Sequence, residues 1–551
     1  MSTITKALLS TAILCLALSL GAQIPNWLWA VRAGGVNEDL TSSIATDSQG
    51  NHYVTGRFTG TAYFGSFMIT SSGYADIFAA KLDTSGNFLW AVHAGGSSYD
   101  EGFGIAVDSE GNSYLTGSFQ ESATFGSIQL TSSGFSDIFV AKLDPVGNFL
   151  WAVSAGGTDS DRGRSIAVDS VGNAVITGHL YSEFATFGSY EITGAGYGDI
   201  YVAKLDPAGN WLWAVSAGGT EADEGLGIAL DSAGNSYLTG LFSFSAIFGS
   251  HTLISSGFSE TFAAKLDPAG NFMWAVNTIT ESNLVTVHGI AVDGSGNVLL
   301  TGAYNGTASF GPFTITSVNG YPDIFAAKLD TAGNWLWAVS AGGAGEDYGW
   351  SIATDNAGNS YLTGNIWSET TAFGTYQLIN STGMDMFIAK LDPSGNWILV
   401  SSTSGYPVST DISLDGNGNI CLTGYFGTYA CFGSQSFTSS GGTDIFVAEL
   451  AFGTPVDEDL APDAANVSNL YDAFPNPFHM GETTRIKTHI AQRETGILTL
   501  FNLRGQSVAR HTLSPGYHQV SLDSRDLPSG VYLYQLRTRT CSEIKKLVLL
   551  K

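Results

Sequence analysis

Aspartates that recur at one position of a repeated pattern are the first candidates for chemistry in this sequence. Calcium binding requires several oxygen ligands within about 2.3 to 2.6 Å of one ion, and carboxylates spread one to a repeat do not converge that closely. We therefore predict that each aspartate caps its own loop by accepting hydrogen bonds from backbone N–H groups. The recurring residues are Asp39, Asp100, Asp161, Asp223 and Asp347.

The histidines occupy different positions of the pattern and do not form a recognisable zinc set or catalytic triad. The sequence also lacks G-x-S-x-G, P-loop and H-E-x-x-H motifs. We expect no catalytic residue, no metal and no cofactor. A carboxylate pair for glycoside hydrolysis remains an alternative, because the separation of two carboxylates is not visible in a sequence. The histidines before the C-terminal region are His52, His93, His179, His251 and His288.

Side chains that break the pattern are better candidates for a binding site, because specificity requires distinct groups. Arg162 and Arg164 bring rare positive charge to one repeat. His288 ends residues 277–288 and Tyr406 lies in residues 401–409, two stretches that replace the usual Ala-Gly-Gly segment. Arginine and aromatic residues are common anchors in interfaces. We predict that Arg162, Arg164, His288 and Tyr406 contact a ligand, with sequence drift as the competing explanation.

The elements that must position these residues are short repeated strands. Residues 137–157 read DIFVAKLDPVGNFLWAVSAGG, two strand-like runs joined by a hairpin turn of the Asp-Pro-x-Gly-Asn type. Runs such as SIAVD and SYLTG, joined by a D-x-x-G-N turn, precede it, so one repeat has four strands. Near-copies of residues 137–157 begin at Asp76, Asp199, Glu260, Asp323, Asp385 and, in truncated form, Asp444.

The arrangement of the strands predicts that the array closes on itself. The D-x-x-G-N turn and a Thr-Gly pair each occur seven times, but the seventh repeat lacks its last strand after Leu450. A strand of the missing type stands before the first repeat, at residues 26–31. Pairing of residues 26–31 with residues 444–450 leaves no open edge. The sequence predicts an all-β fold, a seven-bladed β-propeller of four-stranded blades closed by the N-terminal strand.

In such a ring the tight turns share one face, and longer, more variable segments share the other. Residues 120–136 and 156–164 belong to the second set, which we call the loop face. Variable loops on a rigid scaffold commonly carry binding sites, so we expect a ligand on this face. The recurring aromatic residues of the last strand, such as Trp29 and Trp90, are expected to pack between blades rather than to stack on sugars. Repeated lysines such as Lys142 are expected to pair with other groups of the fold.

The repeat, written SIAVDSxGNxYLTGSF followed by ATFGS, TSSG and DIFVAKLDPxGNFLWAVSAGG, resembles the bacterial β-propeller repeat family known as SBBP repeats. The resemblance covers most of residues 23–450, and the Gly-Asn turns, Thr-Gly, Phe-Gly and Trp strand recur in fixed order. It implies a propeller in an extracytoplasmic setting. It carries no catalytic signature.

The first 22 residues have the pattern of a cleaved signal peptide, with Lys6, an apolar run at residues 7–20 and the small residues Gly21 and Ala22. The apolar run is short for a permanent membrane span, so the mature chain is expected to have no transmembrane anchor. Residues 451–468 are rich in proline, acidic and small residues and are expected to form a linker. Residues 469–551 contain short strands that predict a small β-sandwich.

The phrases YDAFPNPF, LTLFNLRGQSV, LPSGVYLYQLRT and KKLVLLK in residues 469–551 resemble the C-terminal sorting domain of type IX secretion cargo. The resemblance implies export across the outer membrane, with the secretion machinery and its sortase as partners. The expected location is secreted or at the outer cell surface.

The charge and the cysteine content of the sequence limit which partners and covalent links are expected. The net charge is −27 at pH 7, and an acidic protein repels phosphate backbones, so nucleic acid is not expected as a partner. Cys421 is predicted to be buried and unpaired, with a bridge to Cys431 as the alternative. The leading functional hypothesis is a non-enzymatic binding or scaffold propeller with an unknown glycan or protein ligand. The alternative is a propeller hydrolase or lyase that acts on polysaccharide through carboxylate catalysis.

Overall fold

The structure is a computed structural model. It describes residues 25–280, 285–380, 383–433, 435–452, 469–470, 473, 478–481, 483–490, 494–502, 504, 506–538 and 542–550. The expected signal peptide and residues 453–468 of the expected linker lie outside the described residues. The chain divides into two compact units, residues 1–453 and 454–551.

The first unit consists of short strands. Those of the first three repeats are β1 (Pro25–Gly35), β2 (Asp39–Thr46), β3 (His52–Phe58), β4 (Thr61–Phe64), β5 (Phe67–Thr70), β6 (Asp76–Leu82), β7 (Phe88–Gly96), β8 (Glu101–Val107), β9 (Ser113–Phe119), β10 (Ser122–Phe125), β11 (Ile128–Thr131), β12 (Asp137–Leu143), β13 (Phe149–Ala155), β14 (Asp161–Val168), β15 (Ala174–Leu180), β16 (Phe184–Phe187), β17 (Tyr190–Thr193), β18 (Asp199–Leu205) and β19 (Trp211–Ala217). Those of the other repeats are β20 (Glu224–Leu230), β21 (Ser236–Phe248), β22 (His251–Leu266), β23 (Phe272–Asn277), β24 (Ile279–Thr280), β25 (Val285–Val292), β26 (Val298–Tyr304), β27 (Thr307–Phe310), β28 (Phe313–Thr316), β29 (Asp323–Leu329), β30 (Trp335–Gly343), β31 (Asp347–Thr354), β32 (Ser360–Ile366), β33 (Thr370–Phe373), β34 (Tyr376–Ile379), β35 (Asp385–Leu391), β36 (Trp397–Thr403), β37 (Pro407–Leu414), β38 (Ile420–Phe426), β39 (Tyr429–Phe432), β40 (Gln435–Thr438) and β41 (Asp444–Phe452).

Four strands of each repeat, which we call A, B, C and D, pair in that order to form an antiparallel meander. The first meander is β2-β3-β6-β7, and the same order recurs through the array. The last meander is β37-β38-β41-β1, so the N-terminal strand supplies its D strand. In that pair Trp27 lies opposite Leu450 and Trp29 opposite Glu449. The all-β class and the predicted pairing of residues 26–31 with residues 444–450 both agree with the structure.

The segments between strands B and C are regular hairpins, and the expectation of long variable loops there is wrong. Residues 120–136 contain the hairpin β10-β11, and β10 also pairs with β7 of the preceding repeat. Phe125 of this hairpin packs at 5.7 Å, ring centroid to centroid, against Phe149 of its own repeat's D strand. Each strand of the hairpin has only four residues, which is too short to show a clear alternation in the sequence.

The Thr-Gly pair of strand B fixes the positions of the two neighbouring strands, A and C. The hydroxyl of Thr177 donates to the carbonyl oxygen of Tyr201 in strand C at 2.7 Å. On the other side, a Cβ on Gly178 would overlap the carbonyl oxygen of Arg162 in strand A. Only glycine therefore allows strand A to lie this close. Strand A has a β-bulge opposite this Thr-Gly pair. Gly163 pairs with Gly178 and Ser165 pairs with Thr177, so Arg164 between them is the extra, unpaired residue of the bulge.

The aromatic residues of strand D pack between repeats, as expected. Trp90 is buried, and its indole N–H donates to the carbonyl oxygen of Pro145 in the next repeat at 3.1 Å. The repeated lysines are also structural. Lys142 lies 4.6 Å from the ring centroid of Tyr114 and 3.5 Å from the carboxylate of Asp108 in the A–B turn.

The second unit has two sheets that share one buried core. Its strands are β42 (Asn469–Leu470), β43 (Phe478–His479), β44 (Thr483–Ile490), β45 (Gly496–Asn502), β46 (Ser507–Leu513), β47 (Gly516–Asp523), β48 (Gly530–Arg537) and β49 (Ser542–Leu550). One sheet has the order β42-β44-β47 and the other β43-β49-β48-β45-β46. Ile486 of the first sheet and Tyr534 of the second belong to the same apolar cluster. The described residues contain no helix that is long and apolar enough to cross a membrane.

The pairing of β1 with β41 generates the first prediction. Replacing the buried Trp29 by Ala should lower the free energy of unfolding by about 3 to 5 kcal/mol, because it leaves a cavity between the first and last repeats. Leu28, on the same strand, is 46% exposed, so Leu28→Ser is the matched control and should change stability little. Denaturant unfolding measures both. Equal midpoints for the two variants would contradict a structural role for this seam.

Candidate functional site

The bulged residues of the seven A strands converge on one cavity. It has a volume of about 180 Å³, and every A strand contributes to its lining. In each repeat the register shift that defines the bulge falls on the same position. A β-bulge re-aims a side chain, and bulges are frequent next to functional sites. The seven bulged residues, which we call the bulge ring, are Ser42, Phe103, Arg164, Leu226, His288, Trp350 and Thr410.

One side of the bulge ring is aromatic. The rings of His288 and Trp350 lie 4.5 Å apart, and Trp350 stacks on Tyr348 at 5.6 Å with an angle of 10° between the planes. The indole N–H of Trp350 donates to Oδ1 of Asn365 at 3.1 Å, which sets its orientation. Burial lowers the pKa of His288 to about 4. His288 is therefore neutral at pH 7.

The other side of the bulge ring carries a positive charge. The guanidinium of Arg164 lies 4.7 Å from the centroid of Phe103, a cation–π arrangement. Its Nε is buried and has no hydrogen-bond partner. Burial lowers the pKa of Arg164 from its usual value, with Glu224 acting in the opposite sense. Arginine nevertheless keeps its charge in proteins, so the cavity offers a donor that a ligand could satisfy.

The lining contains one carboxylate among the described residues, that of Asp411. Its Oδ1 accepts hydrogen bonds from Ser351 at 2.6 Å and from the backbone N–H of Ile412 at 2.9 Å. Its Oδ2 accepts from the hydroxyl of Ser43 at 2.8 Å and from the backbone N–H of Ile44 at 2.9 Å. Burial raises the pKa of Asp411, and these hydrogen bonds oppose the rise. Asp411 thus ties together three neighbouring A strands, β31, β37 and β2.

The structure brings together two of the four residues predicted to bind a ligand. Arg164 and His288 line the cavity, but they lie on strands β14 and β25 and not on loops. Arg162 is an exposed residue of β14 outside the cavity lining, and Tyr406 precedes β37 with a φ of 67°. The sequence analysis missed Phe103 and Trp350. The signal was present, since the bulge position holds seven different residues, several of them large, while most of its neighbours are glycine or serine.

The recurring aspartates cap their loops, as predicted. Asp100 is an example, because it accepts from the backbone N–H of Gly96 at 2.7 Å and from that of Gln120 at 3.0 Å. Burial and the neighbouring Asp76 raise the pKa of Asp100 to about 6, although the backbone hydrogen bonds oppose the rise. In the same way the pKa values of Asp39 and Asp223 are raised to about 7, first by burial. Burial also raises the pKa of Asp323, at the start of strand C in β29, to about 7.

These carboxyl groups predict a pH dependence of stability. Because folding raises their pKa values from 3.8 to about 7, the folded state binds more protons between those pH values, and stability should fall as pH rises from about 5 to 8. Thermal unfolding at both pH values measures this difference. Asp39→Asn with Asp223→Asn should reduce it. Asp83→Asn, in a turn where hydrogen bonds from Asn87 hold the pKa low, should not. A higher melting temperature at pH 8 than at pH 5 would contradict the prediction.

Antiparallel four-stranded repeats, together with a separate C-terminal unit, define an all-β repeat protein of two units. Family models match one segment in each of the two units. Residues 89–118 match the SBBP β-propeller repeat, and residues 472–550 match the secretion system C-terminal sorting domain. The chain therefore contains an SBBP β-propeller repeat and a type IX secretion sorting domain, and the sorting domain indicates export to the cell surface or the medium.

Curated relatives are more distant and much longer. An uncharacterized WD repeat-containing protein, L264, of Acanthamoeba polyphaga mimivirus is 25% identical over 502 residues, covering 72% of this chain and 36% of that protein. The regulatory protein FlaEY of Caulobacter vibrioides is 25% identical over 349 residues, covering 58% of this chain and 35% of that protein. The chain thus spans about a third of the length of these relatives.

Solved structures show a weaker likeness. PorZ, a surface component of the type IX secretion system of Porphyromonas gingivalis, aligns at 10% identity with a TM-score of 0.27. The alignment covers 98% of this chain and 88% of PorZ. That score is too low to transfer a function.

The sorting domain predicts the fate of a truncated protein. Removing residues 469–551 from the protein in a host with a type IX system should leave it in the periplasm, because the export signal is lost. Cell fractionation and immunoblotting of the medium, surface and periplasm measure the outcome, with the full-length chain as control. Undiminished surface or medium signal from the truncated chain would contradict the prediction.

Proposed function

We propose that the protein is a secreted or surface-attached, non-enzymatic, seven-bladed β-propeller that binds an extracellular ligand at its bulge ring. The observation that supports this proposal is the contrast within each A strand. The bulged residue differs in all seven repeats in size and charge, whereas the residues on both sides of it are mostly small, with glycine, serine or threonine at 12 of the 14 positions. Packing of the strands accounts for the small residues, and we attribute the seven different side chains around one cavity to a specific ligand.

The chemistry of the bulge ring favours an acidic glycan as the ligand. Trp350 and Phe103 provide aromatic faces of the kind on which sugar rings stack. Arg164 provides a guanidinium with an unsatisfied Nε, which suits a carboxylate. Asp411 does not neutralise it by a direct contact, since four protein donors already engage its oxygens. A uronic acid residue meets both requirements, with a ring for the aromatic side and a carboxylate for Arg164.

The alternative, a polysaccharide hydrolase or lyase, requires carboxylates free to exchange protons with a substrate. Both carboxylate oxygens of Asp411 already accept hydrogen bonds from three strands. The capping aspartates, such as Asp100, accept hydrogen bonds from backbone N–H groups. Glycosidase mechanisms of the usual kind need a second carboxyl group across the scissile bond. Among the described lining residues Asp411 has no such counterpart. The geometry therefore supports binding better than hydrolysis.

The assignment of regions follows the same reasoning. Residues 1–22 are proposed to be a signal peptide, residues 23–450 the propeller, residues 451–468 a linker and residues 469–551 the sorting domain, with a β-sandwich fold. The sortase of the secretion system is proposed to remove the sorting domain after export. Support comes from the two sheets that share one core in the second unit and from the match at residues 472–550.

A binding experiment tests the proposed ligand site. Full-length protein is titrated with polygalacturonate and alginate as acidic probes and with dextran as a neutral probe. Arg164→Ser should weaken binding of the acidic probes roughly tenfold to a hundredfold, the range expected for loss of one hydrogen bond to a charged group. Trp350→Ala should weaken it as well. Arg162→Ser is the matched control, because it removes the same charge from the same strand outside the cavity lining, and should leave binding within about twofold.

Two results would contradict the proposal. Acidic probes that bind no better than dextran would overturn the acidic glycan. A footprint on the D-x-x-G-N turns, for example loss of binding in Ala233→Ser with no effect of Arg164→Ser, would place the binding surface on the opposite face. In that case a protein partner on the turn face becomes the better hypothesis.

A further inference from the structure

Three residues depart from the repeat together where the last repeat meets the first. Cys421 stands at the strand B position of Tyr53, Tyr114, Tyr237 and Tyr361, and Glu449 replaces the lysine of strand C that every other repeat carries. His52 of β3 occupies a position where Ser113, Ser236 and Ser360 stand in other repeats. The three residues belong to strands β3, β38 and β41. We call them the seam cluster.

The side chains of the seam cluster meet in the interior. Nε2 of His52 lies 3.7 Å from Sγ of Cys421 and 3.7 Å from Oε2 of Glu449. One ligand atom of each residue lies within 4.8 Å of the others. All three residues are buried, and Cys421 is a free thiol, as the sequence predicted. The arrangement therefore places a thiol, an imidazole and a carboxylate around one point.

The charge at the seam differs from that of the other repeats. Elsewhere the lysine of strand C balances the aspartate of the A–B turn, as Lys328 does for Asp293 at 2.9 Å. In the seventh repeat Asn419 instead donates to two carboxylates, those of Asp415 and Glu449, both at 2.9 Å. Replacing a buried cation by an anion is costly unless another cation compensates. The described residues at the seam supply no lysine or arginine within hydrogen-bond distance of Glu449.

We propose that the seam cluster binds one divalent transition-metal ion of the zinc type, with His52 Nε2, Cys421 Sγ and Glu449 Oε2 as ligands. Tetrahedral zinc with these donors requires ligand atoms roughly 3.4 to 3.6 Å apart, from bond lengths of about 2.0 to 2.3 Å. The separations from His52 Nε2 to Cys421 Sγ and to Glu449 Oε2 are both 3.7 Å and need adjustments of only a few tenths of an ångström, and all three ligand atoms lie within 4.8 Å of one another. A thiolate and a carboxylate together carry two negative charges, so a divalent ion makes the buried site neutral. The thiol proton leaves to solvent when the metal binds.

The surroundings of the cluster orient the proposed ligands. Nδ1 of His52 lies 3.1 Å from the hydroxyl of Thr46, so a proton on Nδ1 can be donated there and leaves Nε2 free for the metal. The indole N–H of Trp29 donates to Oε2 of Glu449 at 2.6 Å, and Asn419 donates to Oε1. The carboxylate is thus held from both sides. Because the ligands come from the first and the last repeat, the ion would fasten the seam between them.

The competing explanation for the seam cluster is a protonated His52 that forms an ion pair with Glu449, with Cys421 as a space-filling residue. Both arrangements neutralise Glu449. They differ in the role of the thiol, because only a metal site requires Cys421 as a ligand. A spectroscopic signal from the sulfur therefore distinguishes them.

Cobalt(II) titration of the metal-stripped, full-length protein tests the proposal. We expect one equivalent to bind, with an intense near-ultraviolet absorption from thiolate to cobalt, and zinc to displace it. Zinc should also raise the melting temperature by several degrees, because it binds the folded state. Cys421→Ser should abolish the absorption. Cys431→Ser, which changes the other described cysteine, should keep it.

A variant in which the seam cluster carries the residues of other repeats distinguishes loss of metal binding from loss of folding. The triple change His52→Ser, Cys421→Tyr and Glu449→Lys installs the residues found at Ser113, Tyr53 and Lys81. We expect this variant to fold and to show no response to cobalt or zinc. A wild-type protein that binds no stoichiometric cobalt, or whose cobalt complex lacks the sulfur absorption, would overturn the proposal in favour of the ion pair.

Discussion

The close contact between the glycine of each Thr-Gly pair and a carbonyl of strand A is the constraint on which the first unit depends. Gly178 leaves room for the carbonyl of Arg162, while Thr177 binds strand C through its hydroxyl. In every repeat, strand B is therefore in close contact with strands A and C at the Thr-Gly pair. The bulge lies at this level, between the residue that pairs with the glycine and the residue that pairs with the threonine. The bulged residue, which differs in every repeat, thus lies opposite the Thr-Gly pair, which is the same in every repeat.

This arrangement separates stability from recognition. Contacts that stabilise the repeats use residues that recur, such as the tryptophans of strand D, the tyrosine and lysine of the turn face and the phenylalanine of the B–C hairpin. A bulged residue is partly buried in the cavity and does not take part in these contacts, so it can change without disturbing them. The residues that line the cavity can therefore vary while the strands around it keep their contacts.

The junction between the last and the first repeat differs from the junctions between other neighbouring repeats. Here the D strand of the last repeat comes from the N-terminus, and the pairing of β1 with β41 joins residues more than 400 positions apart in sequence. Bringing distant segments together costs chain entropy that neighbouring repeats do not incur. The side chains at this junction are also different, with Cys421 and Glu449 in place of the usual tyrosine and lysine, and with His52 where three other repeats have serine. The three exchanged side chains meet at this one junction, which no other pair of neighbouring repeats shows among the described residues.

The sequence by itself determined the strand repeat, the pairing of the orphan N-terminal strand and the capping role of the aspartates, because these depend on local turns and on counting copies. It also identified Arg164 and His288 as departures from the pattern. It did not reveal the B–C hairpins, whose strands are too short to show a period, or the bulge, which is a difference in register between two strands. Only the tertiary structure brought Phe103, Arg164, His288 and Trp350 to one cavity and His52, Cys421 and Glu449 to one point. Residues that meet in this way come from different repeats, and their convergence depends on how the strands pack around one another.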